Sequence, residues 1–135
     1  MAYFLLKTEP STYSWADLVK AKKATWDGVA NPAAVRNIRS ARAGDQVAIY
    51  HTGDEKAAVG IAEVVSAPYD DPKDPRLAVF DLEPKLPLVE KVTLAQIKAS
   101  PVFADSPLVK MGRLSVVALD ATQWKALLAM AKTKL

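Results

Sequence analysis

Three aromatic residues near the N-terminus, Tyr13, Trp15 and Trp26, have the clearest capacity for recognition. Two of the chain's three tryptophans fall within the 12 residues from Trp15 to Trp26. Indole and phenol faces stack on nucleobases, at about 1–3 kcal/mol per base. Lys7, Asn31 and Arg36 stand nearby in sequence, and cationic side chains hold phosphates. Trp26 is followed by Asp27-Gly28, a turn pair that leaves backbone amides free at the end of an element. The competing reading puts both tryptophans in the core, where large aromatics dominate packing. Trp124 reads as core, on one helical face with Leu127, Leu128 and Ala131.

The remaining reactive residues are few. His51 is the single histidine, and there is no cysteine. Thiolate zinc sites, cysteine nucleophiles, disulfide scaffolds and multi-histidine metal sites are therefore excluded. A Ser–His–Asp hydrolase would have to use His51, and no nucleophile-elbow motif is present. His51 closes a strand beside Tyr50, a place where a histidine more often serves structure than catalysis. Arg113 follows Gly112 before a strand, where a guanidinium can clamp a phosphate or carboxylate. Phosphate-loop and dinucleotide motifs are absent, and no cofactor or metal is implied. Asp70, Asp71 and Asp74 lie between prolines and read as a solvated turn rather than a cation site.

The elements that must position these residues are legible from patterning. Tyr3–Thr8 reads as a buried strand. Ser14 caps a helix to about Lys22, with Asp17 completing a near capping box. Thr25–Val29 is a short extended piece broken at Gly28. Asn31-Pro32 opens a helix to about Ala41, with Ala34, Val35, Ile38 and Ala41 on its apolar side. Strands are expected over Gln46–His51, Ala57–Ala67 (Gly60 marking a bulge or close approach), Leu77–Leu82 and Leu114–Leu119. Residues 68–75 are expected to form a long surface loop. Thr93–Ala99 and Asp120–Lys132 are expected helices.

That pattern is five or six strands and four short helices. Its turn-linked strands point to an α+β fold, a mostly antiparallel, partly closed barrel flanked by short helices. The 135 residues, half apolar and 24% charged, suit one domain over 1–135. No export segment or spanning helix is seen, which makes the cytoplasm the expected location and leaves no membrane partner. The net charge of +3 divides unevenly: residues 1–52 balance at +3, 53–90 at −5 and 91–135 at +5. If the ends fold together, a basic face suited to phosphate results.

The motifs together resemble the EVE-domain family along nearly the whole chain. The matching runs are Phe4–Pro10, Tyr13-Ser14-Trp15 with Leu18, Trp26-Asp27-Gly28-Val29 with Asn31, Gly44-Asp45, Tyr50-His51, Gly60–Val64, Asp71-Pro72, Asp81, Val92-Thr93-Leu94 and Arg113–Val116. Two positions depart from it: Ala30 and Pro32 stand where members often carry arginine and tyrosine. The resemblance implies a PUA-like fold, shared with YTH and ASCH domains. It also implies a reader of modified bases without chemistry of its own. Modified cytosine in DNA is the leading ligand, ahead of RNA, and bacterial members imply a nuclease or modification-system partner. A base would be flipped onto the indole of Trp26. The backbone at Asp27-Gly28 and the side chain of Asn31 would bond its edge. Lys7 and Arg113 would hold flanking phosphates, and Trp15, Tyr50 and His51 would complete the pocket wall. Thr8 and Ser115 join this ligand-binding set. Two alternatives stay open: a binder of free nucleotides or small anions, and a small nucleotide- or RNA-processing enzyme using His51 with a nearby acid.

Overall fold

The computed structural model describes residues 1–135. The chain begins with β1 (Tyr3–Thr8), in which Phe4, Leu5 and Leu6 are all buried. A strand covered on both faces needs an unbroken apolar run rather than alternation, which is what this segment carries. β1 lies parallel to β3 (Gln46–His51) and antiparallel to β7 (Val116–Leu119). β3 turns into β4 (Ala57–Val64), which pairs with β6 (Asp74–Thr93). β2 (Ala24–Trp26) and β5 (Tyr69–Asp71) both add to β6. The sheet order is β2-β6-β4-β3-β1-β7, and all pairings but β1–β3 are antiparallel. The sheet curls into a half-barrel carrying short helices.

Local capping explains the helix starts. Ser14 and Asp17 form a full capping box at α1 (Trp15–Ala21). The Asn31 side chain accepts from two amides at the head of α2 (Pro32–Ser40), whose Ala34, Val35 and Ile38 are buried as their spacing requires. Thr93 with Gln96 caps α3 (Leu94–Ala99), and Asp120 with Gln123 caps α5 (Ala121–Met130). On α5, Trp124 is 3% exposed and stacks on Tyr3 with ring centroids 5.0 Å apart, confirming its place in the core.

Several expectations are corrected. The stretch 68–75 is not an open loop: it holds β5 and the tight turn into β6. The strand expected at Leu77–Leu82 runs 20 residues, from Asp74 to Thr93, through Pro84 and Pro87. Proline donates no ladder bond, and the β4–β6 register shifts where these two residues pair. β4 stops at Val64 and β7 starts at Val116, both shorter than patterning implied. There are seven strands and five α-helices. The unforeseen elements include α4 (Pro107–Lys110) and one turn of 3-10 helix at Pro101–Phe103.

Candidate functional site

β1 ends between two hollows. Thr8 lines one and its neighbour Lys7 the other, because adjacent strand residues face opposite ways. The larger cavity, about 470 Å³, is lined by Thr8, Thr12 and Tyr13 from the β1–α1 segment and by Ala24 to Gly28 from β2 and its turn. That volume lies within the range of small-molecule sites. Trp26 and Tyr13 meet edge to face, centroids 6.2 Å apart at 78°. Burial, then Asp17, raises the Tyr13 phenol above the ordinary tyrosine value, so its hydroxyl keeps its proton at neutral pH.

Two of the cavity's four hydroxyls, those of Thr8 and Thr25, have committed protons, while those of Thr12 and Tyr13 make no hydrogen bond within the chain. Thr8 Oγ1 donates to the Tyr13 carbonyl at 2.7 Å. Thr25 Oγ1 donates to Asp81 at 2.9 Å, and Tyr69 donates to the same carboxylate oxygen at 2.7 Å. What Thr8 and Thr25 have left is lone pairs. The exposed Asp27 carboxylate adds acceptors at the rim. The backbone N–H groups of Asp27 and Gly28 have no partner within the chain. Gly28 has φ +75°, a turn conformation that glycine takes without strain. The cavity thus offers an aromatic surface, several acceptors, two free amide donors and the unengaged hydroxyls of Thr12 and Tyr13.

The other expected residues lie elsewhere. Trp15 is not in the cavity: its indole packs over Gly60, where even a β-carbon would stand 2.5 Å from Cε2 and Cε3 of the ring. His51 is 9% exposed and ties down α1, its Nε2 accepting the Trp15 N–H at 2.9 Å. Nδ1 therefore carries the ring proton and donates it to Glu55 Oε1 at 2.6 Å. With both ring nitrogens engaged, this pair has no free base to offer, which weighs against a hydrolytic reading. Asn31 uses its side-chain oxygen on the amides of Ala33 and Ala34, at 2.8 and 3.2 Å, and does not line the cavity.

Lys7 and Tyr50 line the smaller hollow, of about 200 Å³. The Lys7 ammonium donates to the Gly112 carbonyl at 3.0 Å and lies 5.8 Å from the Tyr50 ring centroid. Burial lowers its affinity for the proton, and burial raises that of the Tyr50 phenol. The Ser115 carbonyl accepts the Lys7 N–H at 2.9 Å, a sheet-like bond rather than a ligand contact. Arg113 is exposed and outside both hollows. Of the expected set, Thr8, Trp26, Asp27 and Gly28 share one cavity. Thr12, Tyr13, Ala24 and Thr25 complete it. Of these, Tyr13 was legible from its place among the clustered aromatics, whereas Thr12, Ala24 and Thr25 carry no distinguishing pattern.

A curled, mostly antiparallel half-barrel with short helices and a cavity at the end of its first strand is a PUA-like architecture. The EVE domain model matches residues 2–130, and the chain belongs to the EVE-domain family. It is similar to Rpa0253 from Rhodopseudomonas palustris, at 39% identity over 98% of this chain and 94% of that one, with a TM-score of 0.91. It is also similar to Atu2648 from Agrobacterium tumefaciens, at 28% identity, 98% and 94% coverage, and a TM-score of 0.94. The human THYN1 protein, whose structure is solved in complex with 5-methylcytosine-containing DNA, superimposes over 100% of both chains at 20% identity, with a TM-score of 0.89. No curated protein matches the chain in sequence.

Proposed function

We propose that residues 1–135 act as one nucleic-acid-binding unit that captures a single extruded base, a 5-substituted cytosine in DNA above all, and performs no chemistry on it. The observation that carries this reading is the cavity in which Trp26 and Tyr13 adjoin oxygen acceptors and free amides. A base stacks on the aromatic surface. Its exocyclic amino group donates to Asp27 or to the lone pairs of Thr8 and Thr25, as carboxylates accept from cytosine N4 elsewhere. The free amides of Asp27 and Gly28 serve its ring acceptors. Thymine puts an oxygen where cytosine has the amino group, and against Asp27, Thr8 and Thr25 that oxygen meets acceptors. The 5-methylcytosine DNA bound by THYN1 supports the same ligand class. The amino contact separates cytosine from thymine, and the 5-methyl, worth about 1–3 kcal/mol in an apolar pocket, separates modified from unmodified cytosine. A nuclease or modification enzyme acting on the captured site belongs to the same reading.

The test titrates tryptophan fluorescence with matched DNA and RNA strands. Each carries one cytosine, 5-methylcytosine, 5-hydroxymethylcytosine, N6-methyladenine or thymine. The expected result is saturable quenching strongest for 5-methylcytosine DNA, at least about tenfold tighter than the thymine strand. Trp26→Leu should remove that preference while keeping the circular dichroism of the fold. Equal responses to all strands, or an unaltered preference in Trp26→Leu, would refute the reading.

A further inference from the structure

We propose that the hollow on the Lys7 side of β1 is a separate binding site for one phosphate group, held by Lys7, Lys56 and Lys98. Three elements bring these lysines together: β1, the β3–β4 turn and the last turn of α3. Between them lie Tyr50, Thr52, Gly53 and Gly112, and no carboxylate lines the hollow. Four other lysines, Lys85, Lys91, Lys110 and Lys132, reach carboxylates at 3.1, 3.6, 3.0 and 3.4 Å, and the remaining unpaired ones, such as Lys20, Lys73 and Lys134, do not line this hollow. Lys7, Lys56 and Lys98 make no ion pair.

The nearby acids are occupied or turned to a neighbouring surface. Glu9 approaches Gly53 but accepts from Ser11 and Thr52. Glu55 is engaged by His51 and Lys91, and with Asp54 it belongs to the adjoining hollow that Lys56 and Lys98 also border. Lys7 is the informative member. Its ammonium is half-buried, with one carbonyl and one aromatic face for company, so most of its donor capacity and all of its charge are unmatched. A desolvated cation without a counter-charge is costly, and an oxyanion removes that cost. Lysine is a point charge that suits phosphate without demanding bidentate geometry.

Two sources share this chemistry, the backbone of a nucleic-acid strand and the terminal phosphate of a free nucleotide. The site is independent of the base cavity, so it stands or falls separately. The experiment compares the native chain with the double variant Lys56→Gln/Lys98→Gln, both exposed residues with no packing role in the core. Inorganic phosphate is titrated while amide shifts at Lys7, Gly53 and Gly112 are followed by NMR. Cytidine is compared with cytidine 5′-monophosphate, and strand affinity is measured across a salt series. Saturable shifts with phosphate, lost in the double variant, are expected. A strand source lowers the salt slope by about one unit in the variant, equally for modified and unmodified strands. A nucleotide source instead appears as a preference for the monophosphate over cytidine, lost in the variant. Native and variant chains that behave alike in all three measurements would overturn the proposal, whether or not the base preference is found. Base-blind binding with a reduced slope would uphold it and remove only the base reading.

Discussion

Replacing Gly60 by alanine would build a methyl group 2.5 Å from Cε2 and Cε3 of Trp15. That is far inside carbon contact distance, and the obstacle is a ring rather than the loose end of a side chain. The backbone that carries the indole is held in place: the Trp15 backbone N–H is bonded to His51 Nε2 at 2.9 Å, and Leu18 anchors the same helix in the core. If α1 shifts as a body, Tyr13, which stands just before its cap and lines the larger cavity, shifts with it. Overpacking of this kind costs about 1–3 kcal/mol. For a chain of this length that corresponds to a Tm drop of roughly 3–15 °C. The decisive assay is urea unfolding of a double-mutant cycle with Trp15→Ala. Once the ring is gone, Gly60→Ala has nothing to strike, and its cost should fall below about 0.5 kcal/mol, the remainder being coupling between the two sites. Oligonucleotide affinity should fall in Gly60→Ala as the cavity wall moves. A Gly60→Ala variant as stable as the native chain, or one equally costly in both backgrounds, would refute the argument that this close approach positions α1.

Three further outcomes are expected. His51→Phe leaves the half-buried Trp15 amide without its acceptor and should cost about 1–2 kcal/mol in urea unfolding, while an equally stable variant would show that this bond does not secure α1. Lys7→Met removes a half-buried charge, so thermal stability at neutral pH should hold or rise while phosphate response is lost. Because burial depresses the folded-state pKa of Lys7 below the ordinary 10.5, the unfolded chain binds more protons in that window, and native stability should gain on Lys7→Met as pH rises toward it. A marked fall in Tm for Lys7→Met would contradict this. Asn31→Ser keeps a good helix cap and should alter neither stability by more than about 0.5 kcal/mol nor base affinity, whereas Asn31→Ala should cost about 1 kcal/mol. Lost base binding in a stable Asn31→Ser would restore the ligand contact expected from sequence.

The parts legible in the sequence are those governed by hydrogen bonds spanning two to four residues. Ser14 with Asp17, Asn31 before Pro32, Thr93 and Asp120 each begin a helix where their local chemistry places it. Ser106-Pro107 carries the same local signal as Asn31-Pro32 and opens α4. β1 and β3 were legible to the residue because their apolar runs stop where burial stops. The aromatic cluster and its Asp-Gly turn pointed to the cavity for a similar local reason. Tertiary structure decided how those residues are shared out. Trp15 and Trp26 are alike in type and near in sequence, yet the half-buried Trp15 packs over Gly60 while Trp26, buried in the core, also lines a cavity. His51 and Glu55 became an anchor for a helix far behind them in the chain. The prolines of β6 lie in a strand because its partner β4 shifts register around them. Lys56 and Lys98 join Lys7 only because β1, the β3–β4 turn and α3 converge at one end of the sheet. Such meetings depend on the closure of long chain segments and on which faces the sheet buries, and no spacing along the sequence encodes either by itself.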